Sequence, residues 1–110
     1  KIRSIKNISE TNKVIYKNMY IRVNNITFSS KIEADAMKSL AKHEMINTIP
    51  GIISIESIEI SETQSVVILK FDSKESAEKS KTIYINKMKE NPNIKIQSFE
   101  GPRGFIREKS

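Results

Sequence analysis

His43 is the single histidine of the sequence. Imidazole is the side-chain group best matched to taking a proton from a phenolic substrate near neutral pH. His43 lies about 60° from Leu40 around the helix expected there, at the edge of that helix's apolar stripe. One histidine cannot build a two-histidine metal site or be supplemented by thiols, because the chain has no cysteine. Disulfide scaffolds, zinc knuckles, iron–sulfur clusters and thiol catalysis are therefore excluded, and no metal site is expected. Phe28, Phe71, Tyr84 and Phe99 are the candidate substrate-binding residues: they either line an aromatic pocket between helices and sheet or form plain core. Glu33 and Glu44 are eleven residues apart, three helical turns, so both fall on one face of the same helix. If that face is buried, one carboxylate needs a cationic partner or takes a raised pKa.

These residues belong to a chain of 110 residues, 37% hydrophobic and 29% charged, which is room for one domain. The formal charge of +6 is unevenly placed. Residues 1–18 carry five basic side chains against Glu10 alone, and the remaining residues carry fourteen basic against twelve acidic. The excess thus rides on a basic N-terminal arm or leader remnant (1–18), and the domain proper is residues 19–110. A nucleic-acid interface needs clustered cations and exposed aromatics on a sheet. The near-balanced domain has no aromatic-basic pattern of that kind, so no nucleic-acid partner is expected. No apolar run approaches the roughly 18 residues of a membrane span, so no membrane partner is expected either. A trimmed leader would place the protein in a cytoplasm or an organelle matrix.

The pattern of apolar residues predicts six elements. Met19–Phe28 reads as a strand rich in β-branched and aromatic residues. Ser30 and Glu33 form a capping-box pattern opening a helix near Lys31. Its apolar stripe is Ile32, Ala36, Met37, Leu40 and Ala41, with Asp35, Lys38, Ser39 and Lys42 opposite. Pro50-Gly51 stops it. Ile52–Ile60 is a second strand whose alternation slips by one residue, as a β-bulge near Glu56-Ser57 produces. Ser61–Ser65 turns, and Val66–Phe71 returns as a third strand. Asp72, with Glu75 at the capping-box position, opens a second helix carrying Ala77, Ser80, Tyr84 and Met88 at helical spacing. Asn91-Pro92-Asn93 ends it, Ile94–Phe99 is a fourth strand, and a Gly-Pro-Arg-Gly turn leads to Phe105-Ile106.

The order β-α-β-β-α-β predicts an α+β, ferredoxin-like fold: an antiparallel four-stranded sheet with two helices on one face. In the third strand Val66, Val67, Ile68 and Leu69 put apolar side chains on both faces, although two helices cover only one. A second copy of the chain, packed sheet against sheet, is the economical cover, so a homodimer through the sheet face is predicted. Arg22 is placed on that dimer side, with Glu56 or Glu59 as its carboxylate.

The run Ile49-Pro50-Gly51-Ile52-Ile53-Ser54-Ile55-Glu56, the strand Val66–Phe71 and the sequence Asp72-Ser73-Lys74-Glu75-Ser76-Ala77 resemble the antibiotic biosynthesis monooxygenase (ABM) family of the dimeric α/β-barrel superfamily. The similarity covers about Met19 to Phe99, and its motifs are structural. The resemblance implies a dimer whose two sheets close into a barrel. It also implies one of three activities: cofactor-independent oxygenation of a quinol or other small aromatic substrate, haem binding and degradation, or a non-catalytic dimeric binding module. The haem-degrading members carry an Asn at the seventh residue from the start of strand one, which here is Asn25, a Trp in the second helix and an iron-ligating His beyond it. The chain has no Trp and no His between Phe71 and Phe99, and Ser80 and Glu90 lie near those places. The expectation is therefore an oxygenase without a cofactor, with haem as the alternative. In it Asn25 orients an oxygenated intermediate and His43 serves as base. An open pocket favours the enzyme, and a filled one favours the binding module.

Overall fold

The computed structural model describes residues 19–85 and 91–109. The basic arm, Met88 and Glu90 lie outside them. The sheet contains β1 (Tyr20–Thr27), β2 (Ile52–Ser61), β3 (Gln64–Phe71) and β4 (Lys95–Pro102), in the spatial order β2-β3-β1-β4 with every neighbouring pair antiparallel. Helix α1 (Lys31–Leu40) continues through a π-helical turn (Ala41–Met45) into a last turn (Ile46–Thr48). Helix α2 (Lys74–Ser80) likewise runs into a π-helical turn (Lys81–Ile85). The chain is thus the α+β, ferredoxin-like βαββαβ arrangement that its sequence predicts, with an antiparallel four-stranded sheet.

Local chemistry fixes the ends of the elements. Ser30 caps α1 by accepting the Glu33 backbone N–H at 3.1 Å, and the Glu33 carboxylate accepts from the Ser29 backbone N–H at 3.0 Å. The cap of α2 is Ser73 rather than Asp72: its Oγ accepts from the Ser76 N–H. Asp72 instead accepts from the Ser76 hydroxyl at 2.6 Å. The step from α1 to β2 is a tight turn closed by the Ile52 N–H on the Ile49 carbonyl, with Pro50 at its second position and Gly51, at φ 71°, at its third.

The register shifts in β2 fall between Ile52 and Ser54 and between Glu59 and Ser61, not near Glu56-Ser57. Ile53 and Ile60 are the unpaired residues, so the central stretch alternates regularly. Strand β4 also runs further than predicted. Gly101 and Pro102 stay in the ladder opposite Ile21 and Tyr20, because β4 is an edge strand and a proline at its end costs no needed donor.

Helix α1 is rotated from the predicted stripe. Ala34 is its buried residue, and Ile32 is 82% exposed. Phe28, buried in a cluster with Ile26 and Ala34, fills the space beneath the first turn. Only a small side chain fits above it, and Ile32, 200° away from Ala34 at 100° per residue, faces outward. The face toward the sheet is Ala34, Met37, Lys38, Ala41, Lys42 and Met45.

Candidate functional site

The apolar core is in two parts. Tyr20, Met45, Ile49, Leu69, Phe71, Ala77 and Tyr84 form one cluster, and Ile26, Phe28 and Ala34 form the other. On the helix-facing side of β1 the residues run Tyr20, Arg22, Asn24, Ile26, so two polar side chains stand between the clusters. A cavity of about 480 Å³ occupies this gap between sheet and helices, within the size range of small-molecule sites, about 300–1,000 Å³. Ile26, Phe28, Ile55, Val67, Leu69, Met37, Met45 and Tyr84 supply its apolar walls, Arg22, Asn24 and Ser80 its polar inner surface, and Lys38, Lys42 and Glu59 its charged rim.

Arg22 is 0% exposed and highly committed. Its Nε and Nη2 donate to the Glu100 carboxylate at 3.2 and 3.0 Å, Nη2 also donates to the Ala77 carbonyl at 2.6 Å, and Nη1 donates to Ser80 Oγ at 2.7 Å. The guanidinium lies 5.2 Å from the centre of the Phe71 ring. Arg22 thus belongs to the helix side of the sheet, not the dimer side. Strand pairing, which sets Arg22 opposite Glu100, chooses its carboxylate. Glu59 pairs with Lys38 across the rim instead. Burial pushes the Glu100 carboxyl up, but hydrogen bonds from Lys81 and Arg22, and their charges, outweigh it and hold the group below the ordinary carboxylate range.

Asn24 is 4% exposed. Its Oδ1 accepts from the Ser98 hydroxyl at 2.7 Å, and among the described residues nothing accepts from its Nδ2. A buried amide whose NH₂ group is unspent on a cavity wall is the feature a ligand oxygen would complete. Tyr84 Oη lies 2.5 Å from Thr48 Oγ1 and 3.5 Å from Glu44 Oε1, which links the cavity wall to an exposed carboxylate.

The residues singled out from sequence are separated by this geometry. Phe28 and Tyr84 line the cavity. Phe71 is fully buried beneath Arg22, as core. Phe99, opposite Val23 in the ladder and 64% exposed, stands on the other face of the sheet. Asn25 is on that face too, its Oδ1 accepting from Gln64 Nε2 at 3.1 Å. His43 is exposed on the π-helical turn and does not line the cavity. Glu33 caps its own helix, and Glu44 reaches Tyr84. Asn24, one residue from the expected Asn25, is the asparagine that faces the cavity. Its parity with Tyr20, Ile26 and Phe28 was the available signal, obscured because Ile21 and Val23 make the opposite parity equally apolar.

No protein-family model matches the sequence, and no curated protein matches it in sequence. Solved structures do match in fold. A dimeric ferredoxin-like protein from an uncultured marine organism is 21% identical with a TM-score of 0.59, covering 86% of this chain and 96% of that one. A protein from Bacillus cereus described as a candidate antibiotic biosynthesis monooxygenase is 12% identical at TM-score 0.57, over 84% and 99% of the two chains. A variant of SnoaB, a cofactor-independent oxygenase from Streptomyces nogalater, is 11% identical at TM-score 0.55, over 84% and 96%. The chain therefore has the ferredoxin-like fold found in structures of the ABM type, as its Pro-Gly turn and third strand suggest.

Proposed function

We propose that the chain is a small-molecule oxygenase that works without a cofactor on a quinol, anthrone or other electron-rich aromatic compound held between sheet and helices. The observation that carries this reading is the open cavity between the two core clusters, with the unspent Asn24 amide on its wall. A binding module filled by its own side chains would leave no such space. The functional unit is a homodimer paired through the open sheet face.

The chemistry needs no external reductant. In an anthrone-type substrate a CH₂ group flanked by aromatic rings becomes C=O: it loses four electrons, and O₂ gains them. One oxygen atom stays in the new carbonyl, and the other leaves as water with the two protons. The apolar walls exclude bulk water and raise the worth of each hydrogen bond inside. The Asn24 N–H holds the substrate oxygen on which charge develops when the carbon is deprotonated. Tyr84 passes the proton released from the carbon to Glu44, and the same pair returns a proton to the oxygen atom that leaves as water.

Oxygen uptake with an anthrone substrate tests the reading. Saturable, substrate-dependent uptake is expected, and Asn24→Ala should lower kcat by about a hundredfold, far more than Asn25→Ala does. Equal losses in the two variants would remove the role given to Asn24. Saturable Soret-band changes on titration with haemin, at one haem per chain, would replace this reading with the haem-binding one.

A further inference from the structure

Among the described residues that line the cavity, the cations outnumber the carboxylates, and one of them has no carboxylate partner. Arg22 on the inner wall is answered by Glu100, which also takes Lys81 at 2.5 Å. Lys38 at the rim is answered by Glu59. Lys42, four residues further along the same helix face, lines the cavity and meets no carboxylate among the described residues. We infer that the ligand is an aromatic acid whose ring fills the cavity and whose carboxylate pairs with Lys42 at the mouth. This rests on the reading of the cavity as a small-molecule site and names the class of molecule it takes.

The other cations are poor candidates for the acid group. Four of the five Arg22 N–H donors are held by Glu100, Ala77 and Ser80. A carboxylate placed there would compete with Glu100 in a site where an unpaired charge is costly. Lys38 would have to leave Glu59. Lys42 needs no such exchange, and its position on the rim, rather than on the inner wall, lets the acid keep part of its hydration. The Asn24 donor, further in, then takes an uncharged oxygen of the same ring. The ligand so defined has two ends, a hydroxyl or carbonyl inside and an acid outside, with an apolar body between them.

The test compares 2-naphthol with 6-hydroxy-2-naphthoate, which share a ring and a hydroxyl and differ by the carboxylate. Dissociation constants are measured by fluorescence titration of the full chain at pH 7. The acid is expected to bind about fivefold more tightly, with the ratio falling toward one in Lys42→Gln. Glu59→Gln, which frees Lys38 for the same carboxylate, should raise the ratio. Equal binding of the two probes, or a preference that survives Lys42→Gln, overturns the assignment of an acidic ligand and leaves the cavity reading standing. Binding of neither probe overturns both.

Discussion

Glu100 is the residue on which the inner wall of the cavity depends. It is the carboxylate that answers the buried Arg22 guanidinium, and Lys81 holds its other oxygen. A carboxyl whose folded pKa is held below its ordinary value of 4.5 contributes stability that is present above that value. The contribution is lost as pH falls through the depressed folded pKa. Stability should therefore fall as the protein is acidified below about pH 4.5. In Glu100→Gln this component is absent: the variant is less stable at neutral pH and loses less on acidification. Urea midpoints at pH 7 and in the acid range measure both effects, and an undiminished acid loss in the variant would show that other carboxylates carry it. None of this pairing was legible in the sequence, because Arg22 and Glu100 lie 78 positions apart and only the β1–β4 register brings them together. Asn24 was missed for a related reason: neighbouring strand residues differ only in parity, and both parities of β1 are apolar.

At the scale of elements, the tight connections do the positioning. Gly51 has φ 71°, and a β-carbon there would stand 2.2 Å from Ser76 Oγ and 2.4 Å from Asp72 Oδ1. The turn must pass this close because the Asp72 N–H bonds the Gly51 carbonyl at 2.9 Å, tying the start of β2 to the entry of α2. Gly51→Ala is expected to cost about 2 kcal/mol, from left-handed backbone strain and the contact with the α2 cap, measured by equilibrium urea unfolding. A change below a few tenths of a kcal/mol would mean that the turn relaxes freely. Element order, the Ser30 cap and the Pro50-Gly51 stop were legible because they depend on residues close in sequence. The rotation of α1 was not, because it follows from Phe28 packing under Ala34. The positions of the β2 bulges were not either, since they answer to the pairing partner β3 rather than to the apolar pattern of β2 itself.

At the scale of the whole molecule, the face of the sheet away from the helices is the feature still to be matched. Ile58, Val66, Ile68, Val23, Ile21 and Phe99 lie on it, by the register of the four strands. Each large apolar side chain covered there is worth roughly 1.5–3 kcal/mol. The doubly apolar third strand made this face legible in the sequence, and a homodimer through it is the predicted state. Sedimentation velocity should find the dimer, and Ile68→Lys, which sets a cation opposite Val23 at the centre of the face, should shift it to monomer. A monomeric wild type, or a variant that still dimerises, would place the interface elsewhere. The cavity opens on the opposite side of the sheet, so dimer and ligand do not compete for the same surface.

The proposed chemistry takes place in the space between the two core clusters. The most direct measurement is oxygen uptake with an anthrone substrate by the wild-type chain and by Ala41→Phe, which sets a ring into the cavity from the helix side and leaves Arg22, Asn24 and Tyr84 in place. Saturable uptake by the wild type, and loss of most of it in the plugged variant while the fold is retained by circular dichroism, is the predicted result. Uptake that Ala41→Phe does not change, or a wild type that neither consumes oxygen nor binds the substrate, would contradict it.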